Sequence, residues 1–538
     1  MKILEINNID LVGRRFNGYD LMNFINNTTK HKASQLVIDK TSTNNYVNTF
    51  FGKQIDWNYF YKCLGLEKEI FSVHSNISLT TPALFDNPLY KNADLIHIHL
   101  LHNSALSMYS LIKISSEKPV ILTIHDPWFF TGRCVHPQTC KKWKNGCNDC
   151  KFLYTIFQLD FDNCNSLWKN KRNIYNAIDV NLIVSTNFML DMFNTSPITN
   201  NLIVPVVIPF GIDLNKFSPE TKKNYSKTQI NINEDNFVIF IRAQDEFKGT
   251  KYFIEAMKII DTNRNITIIT CDNVGMLDEL KGRYEVIDLG VIDEEKMIMS
   301  YNACDVFVMP SIGESFGLMA VEAMACGKPV IVFDNTALPS VAFAPQCGLL
   351  ARNKDSYSLA KCIMYSIENE NDMNVRGELG RKLAIEHYDL NKYNSKIMDY
   401  YELSFHRQKH KLVKQPKSVE IEPINFNDKD VTETCIKLNI FTKKLFYRKN
   451  VKKYFSFLKQ KTIMTKEDKN YKIDFSKTDV QRLLDQFNEE LYLYLKTING
   501  YWKFELEISF RKLVYYSLFD RKKIVDFILR KVNRSKKK

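Results

Sequence analysis

Residues 305–333 limit the fold more than any other stretch. An apolar run, Val306, Phe307, Val308 and Met309, is followed by Pro310-Ser311-Ile312-Gly313-Glu314-Ser315-Phe316-Gly317. Leu318, Met319, Val321, Ala323, Met324 and Ala325 then read as a helix, which Gly327 and Pro329 end. A second apolar run, 330–333, follows at once. Short all-apolar strands around a helix are the unit of a parallel sheet covered on both faces. In such sheets ligands sit beyond the carboxyl ends of the strands. The free N–H groups of a helix start there favour an anion. Glu314 and Glu322 lie at the entrance of this helix and about two turns along it.

The same alternation recurs along the chain. Strands are expected at 3–6, 95–100, 120–124 and 180–185, and again at 237–241, 265–270 and 284–291. The Pro- and Gly-bearing stretch 202–219 separates the two series, so two Rossmann-like domains are expected. The chain of 538 residues is long enough for two or three domains. No run of about 18 apolar residues occurs, and residues 1–6 read as a strand and not as a leader. A cytoplasmic protein is the expectation.

Three loops at strand ends carry chemistry. After the first strand come Gly13, Arg14, Arg15 and Gly18, which let a phosphate or a sugar approach the backbone. The strand 120–124 runs into His125-Asp126, a polar pair facing a ligand crevice; His97 and His99 alternate on one strand and read as core histidines. The strand 237–241 runs into Arg242 and Lys248, two fixed cations that suit a diphosphate.

The stretches VIPFGIDLNKFSP, RAQDEFKG and DVFVMPSIGESFGLMAVEAMACGKPVI together resemble the retaining GT-B glycosyltransferases of the family-4 type. IHIHLLHN and TIHDPWFFTGRC resemble the subgroup that builds bacterial capsule, exopolysaccharide and lipopolysaccharide. The resemblance implies an α/β GT-B fold, with two doubly wound domains facing across a cleft. The domains expected are an acceptor domain at 1–208, a nucleotide-sugar donor domain at 209–384, a crossover helix at 385–405 and a basic, mainly helical extension at 406–538. It implies that Arg242 and Lys248 hold the donor diphosphate, and that the amides of Ser315, Phe316, Gly317 and Leu318 hold phosphate and sugar. Glu314 would bind sugar hydroxyls, Glu322 the ribose, and Val291 would lie by the base. His125 would stand near the transferred sugar, with Gly13 and Gly18 in the N-terminal glycine loop. The activity implied is hexosyl transfer with retention, without a catalytic metal, from a nucleotide-diphosphate sugar to a saccharide or lipid-linked saccharide. A catalytically silent GT-B scaffold and a GT-B nucleotide-sugar epimerase are the rival readings.

Two features stand apart. Cys134, Cys140, Cys147 and Cys150 fall within 17 residues, and the last pair has the C-x2-C spacing of a zinc knuckle. Structural zinc, free buried thiols and disulfides are the readings open here. From 401 to 538 there are 33 Lys+Arg against 17 Asp+Glu, so this part carries +16 of the net +13 and the first 400 residues carry −3. With its intermingled aromatics, this tail suits a peripheral contact with an anionic membrane or a small helical domain. Nucleic acid is not an expected partner.

Overall fold

The computed structural model describes residues 1–50, 84–85, 87–102, 106–108, 110–155, 157–219, 224–244, 246–272 and 274–412. The expectations for the extension beyond 412, including its helices and its membrane contact, lie outside the described residues.

The N-terminal domain comprises β1 (Lys2–Ile6), α1 (Tyr19–Thr28), β2 (Lys32–Val37), β3 (Val47–Thr49), α2 (Pro88–Asn92), β4 (Leu95–Ile98), α3 (Ser110–Glu117), β5 (Val120–Ile124), α4 (Cys164–Tyr175), β6 (Asn181–Val184), α5 (Asn187–Thr195) and β7 (Val206–Val207). Its strands form one parallel sheet in the order β3-β2-β1-β4-β5-β6-β7. The second domain holds α6 (Tyr225–Gln229), β8 (Phe237–Ala243), α7 (Thr250–Ile259), β9 (Ile266–Asp272), β10 (Glu285–Asp288), α8 (Glu294–Ala303), β11 (Val306–Met309), α9 (Leu318–Ala325), β12 (Val330–Phe333), α10 (Leu338–Val341), β13 (Gly348–Ala351), α11 (Ser356–Glu368) and α12 (Glu370–His387). Its sheet is also parallel, ordered β10-β9-β8-β11-β12-β13. Strand order reverses between β1 and β4 in one sheet and between β8 and β11 in the other. Those two switch points are where such sheets bind ligands.

The pleat explains why the strands are apolar throughout. In β8, Phe237, Ile239 and Ile241 enter one core while Val238 and Phe240 enter the other. In β11, Val306 and Val308 go one way, Phe307 and Met309 the other. One of these cores is continuous between the domains, from Ile3, Leu21 and Ile25 through Phe210 to Phe316, Met319 and Tyr393. The domains are therefore joined by buried apolar packing as well as by chain.

The crossover helix is α13, Leu390–Lys409, and not 385–405. Residues 385–387 complete α12, and the Asp389 side chain then caps a new helix by accepting from the Lys392 amide at 2.9 Å. α13 lies on the N-terminal sheet. Tyr401 donates to Glu5 Oε1 at 2.7 Å, and Gln408 Oε1 accepts from the Val120 amide at 2.9 Å. Arg407 pairs with Asp179 at 2.7 Å.

Candidate functional site

The loop from β8 to α7 packs directly on the loop from β11 to α9. Gly249 has φ +74° and lies so close to Pro310 that a Cβ there would come 1.9 Å from the Pro310 carbonyl oxygen. The Ile312 amide donates to Phe247 O at 2.9 Å. These contacts bring Lys248 Nζ to 2.8 Å from Glu314 Oε2, so the two expected site residues form an ion pair. Burial opposes ionisation of Glu314, but Lys248 and then His136 outweigh it, and the carboxyl lies below its ordinary range.

Past Glu314, Gly317 takes φ +99° and α9 begins at Leu318. The N–H groups of Phe316, Gly317 and Leu318 donate to no acceptor among the described residues. Ser315 Oγ and Ser311 Oγ are buried without a partner. Arg242 approaches the same helix, with Nη1 3.8 Å from Met319 Sδ. Its Nε is ion-paired with Asp272 at the end of β9, a residue in the left-handed region with φ +80°. Cations and free amides thus surround one end of α9, an arrangement that binds a doubly charged anion.

Glu322, one face along α9, is 3% exposed. Oε2 accepts from the Tyr301 hydroxyl at 2.8 Å, and Oε1 is ion-paired with Arg15 of the opposite domain. Arg15 Nη2 and Lys216 Nζ also reach Glu294, at 3.6 and 2.6 Å. Val291 is 88% exposed beside Gly290, and a Cβ at Gly290 would lie 3.5 Å from the exposed Val274. Gly13 lies against the Phe16 ring, and Gly18 against His99 and Glu5.

On the N-terminal side, His125 stacks on Phe210 at 5.5 Å with ring planes 4° apart, and Phe210 meets Phe316 edge-on at 5.1 Å. His125 Nε2 is buried with no hydrogen-bond partner. Burial holds its pKa well below the ordinary histidine value, so the ring is neutral at pH 7. Thr186 donates to Ser315 O at 3.1 Å, which ties the two loops across the cleft. Beneath them, Glu5 accepts from His99 Nε2 at 2.8 Å and lies 3.1 Å from His97 Nδ1. All three are buried, as expected of core histidines. His97 and His99 outweigh burial and hold Glu5 at about 2, while burial and His97 push His99 down to about 4.

The cysteine-bearing segment is irregular and is held by α4. Lys171 Nζ donates to Trp128 O at 2.5 Å and Thr131 O at 2.9 Å, and Asp162 accepts from the amides of Cys150 at 2.7 Å and Cys164 at 2.9 Å. A four-thiolate zinc cage has sulfurs about 3.8 Å apart. Among the described residues the one group of three ligand atoms all within 4.8 Å of one another is Glu5, His97 and His99; the thiols of Cys134, Cys140, Cys147 and Cys150 are not so gathered. Cys134 and Cys164 each lie beside Cys150, and that thiol together with burial pushes their pKa values up. Cys164, outside the four-cysteine spacing, therefore belongs to this group.

Sequence spacing did not reveal Asp272, Tyr301, the cross-domain reach of Arg15 or the position of His136. His136 was legible only as a histidine inside the cysteine run. In the structure it lies against Gly313 and Phe247 of the other domain.

Residues 222–383 match the family model described as glycosyl transferases group 1. The putative colanic acid biosynthesis glycosyl transferase WcaC of Escherichia coli is 24% identical over 262 residues, 46% of this chain and 61% of that protein. A Campylobacter jejuni protein, N,N'-diacetylbacillosaminyl-diphospho-undecaprenol alpha-1,3-N-acetylgalactosaminyltransferase, is 27% identical over 181 residues, 31% of this chain and 45% of that one. The chain thus spans about half the length of these curated relatives. The sucrose-phosphate synthase of Thermosynechococcus elongatus has the same fold, with a TM-score of 0.57 at 17% identity, over 76% of this chain and all of that one. Two parallel Rossmann-like sheets and the clustered loops at their switch points give this chain the GT-B fold, and within it residues 222–383 are similar to the glycosyl transferases group 1 family.

Proposed function

We propose that this protein is a retaining glycosyltransferase that moves a hexosyl group from a nucleotide-diphosphate sugar to a saccharide or lipid-linked saccharide in cell-surface polysaccharide synthesis. One observation carries the reading: Lys248 is ion-paired with Glu314 at the entrance of α9, beside the unpaired amides of Phe316, Gly317 and Leu318. Breaking a glycosidic bond to a diphosphate places negative charge on the leaving group. Fixed cations and oriented amides stabilise that charge most when they are already in place. Arg242 and Lys248 take that role here, and Glu314 holds the sugar. Glu322 anchors the ribose, and the rim at Gly290 and Val291 receives the base. His125, neutral and unpartnered, faces the reacting sugar from the acceptor domain. The names of the E. coli and C. jejuni relatives favour a polysaccharide or polyprenyl-diphosphate acceptor.

A panel of nucleotide sugars tests the reading by thermal stabilisation, because a ligand bound to the native state raises the melting point. Turnover of the stabilising donor, with and without a chelator, then tests transfer and its independence of metal. Product anomer analysis tests retention. No stabilisation by any nucleotide or nucleotide sugar would refute it. Two further parts of the proposal have their own checks. Zinc drawing together Cys134, Cys140, Cys147 and Cys150 is read by elemental analysis of the purified protein. Peripheral membrane contact through the basic extension of a cytoplasmic enzyme is read by sedimentation with anionic vesicles. No helix among the described residues is long and apolar enough to cross a membrane.

A further inference from the structure

We infer that His136 is a specificity-determining contact for the transferred sugar, delivered across the cleft by the cysteine-bearing segment. The inference rests on the donor-sugar role proposed for Glu314. His136 belongs to the N-terminal domain, yet its ring covers Gly313 of the other one. A Cβ at Gly313 would lie 2.6 Å from His136 Cγ and 2.9 Å from His136 Cβ, so the close approach depends on glycine at that position. The ring also lies 5.2 Å from Phe247, in the loop that carries Lys248. His136 therefore flanks the Lys248–Glu314 pair from the acceptor side, next to the residue that precedes Glu314.

The segment is built to hold it there. Two residues on, Gln138 takes φ +48° and accepts from Lys354 Nζ at 2.7 Å, a second grip on the far domain. At its root Arg133 donates to Phe152 O at 2.5 Å and Phe157 O at 2.7 Å, and the buried Lys171 holds Thr131 O. Yet neither nitrogen of His136 makes a hydrogen bond among the described residues, although the ring is half-buried. A neutral imidazole offers one donor and one acceptor. A sugar hydroxyl offers the same pair and needs the same in return. An immobilised ring with both groups free, beside the carboxylate that holds the sugar, discriminates between hydroxyl configurations. A site built to pair with a hydroxyl rejects an analogue that leaves its polar groups unpaired.

The test compares full-length wild type, His136→Ala and His136→Gln. Three quantities are read: affinity for the nucleoside diphosphate alone, affinity for the best donor of the panel, and kcat/KM for two donors epimeric at one sugar carbon. The expected result for His136→Ala is nucleoside diphosphate affinity within about twofold of wild type, with donor kcat/KM lower and the epimer ratio shifted by about tenfold or more. His136→Gln, whose amide keeps a donor and an acceptor, falls between. A folded His136→Ala protein with the wild-type epimer ratio overturns the inference. So does an equal loss for diphosphate and donor, which marks a packing role. If the alanine variant fails to fold, the glutamine variant decides by the same ratio. Wild type that binds no nucleotide sugar at all sinks the donor reading itself, and the inference with it.

Discussion

Arg15, on the loop after β1, is ion-paired with Glu322, on α9 of the opposite domain. The Tyr301 hydroxyl takes the other oxygen of that carboxylate at 2.8 Å. A residue assigned to a nucleotide's ribose is thus fully engaged by protein, and the cation that engages it comes from across the cleft. On the ribose role proposed for Glu322, a nucleotide and Arg15 would compete for one oxygen.

Arg15→Ala is expected to act in two opposite directions. Glu322 keeps only Tyr301, and its side chain is 4% exposed while Arg15 is 24% exposed. Breaking a pair with one buried partner lowers stability by about 2–3 kcal/mol, less than for a fully buried pair because water reaches the arginine side. Nucleoside diphosphate affinity rises, since the ribose no longer displaces a guanidinium. Denaturant melts and calorimetric titration measure both effects. Weaker diphosphate binding in the variant would show that Arg15 assists the nucleotide and does not compete with it.

Lys248→Ala is expected to reduce kcat about 10²–10³-fold, the range found when one charge-stabilising donor is removed from a transfer site. Glu314 loses the ion pair that, more than any other group, holds its carboxyl low, so its pKa moves upward. Steady-state kinetics on the best donor decides the matter. Wild-type turnover in this variant removes Lys248 from the mechanism.

Stability should fall on the acid side in two steps. His99 and His125 have folded pKa values below the ordinary 6.5, about 4 for His99 and well below for His125. The unfolded chain therefore binds more protons once pH drops beneath about 6.5, and stability falls with pH there. By pH 5 the His99 share alone is about 2 kcal/mol. Glu5, held at about 2 against an ordinary 4.5, adds a second loss as pH falls below 4.5. Melting temperatures from pH 8 to pH 4 show this. A flat profile between 7 and 5 contradicts the buried, neutral histidines.

Tyr401→Phe removes one hydroxyl that serves both Glu5 Oε1 at 2.7 Å and His97 Nδ1 at 2.6 Å. The expected loss is about 2–3 kcal/mol, the range for a hydrogen bond to a buried charge. Because the bond ties α13 to β1, the loss should appear in the melting of the N-terminal domain. Urea unfolding followed by intrinsic fluorescence measures it, and a change under about 0.5 kcal/mol would show that the network re-pairs internally.

Gly249→Ala is expected to cost about 3 kcal/mol or more. It combines a left-handed backbone with a Cβ 1.9 Å from Pro310 O, and the contact is with backbone that cannot rotate away. Donor affinity should fall with stability, since the same loop places Lys248. A fully stable variant would mean that the two loops can part without consequence.

The residues at 305–333 determined a great deal alone. Apolar strands, a glycine-started helix and a glycine–proline stop are local matters, governed by backbone conformation and burial on both faces, so the doubly wound architecture was legible before any contact was known. The pairing of the 242–248 loop with α9 was legible too, because strand ends at a switch point share one edge. Tertiary structure alone decided the partners. Arg15 and Glu322 are 307 residues apart, Tyr401 and Glu5 396, and His136 meets Gly313 across a domain boundary. Local preference carries no information about such pairs, which form only when two sheets and a crossover helix have packed. The four cysteines teach the same lesson in reverse. Their spacing left zinc, free thiols and disulfides open, and only packing placed Cys164, the first residue of α4, beside Cys150.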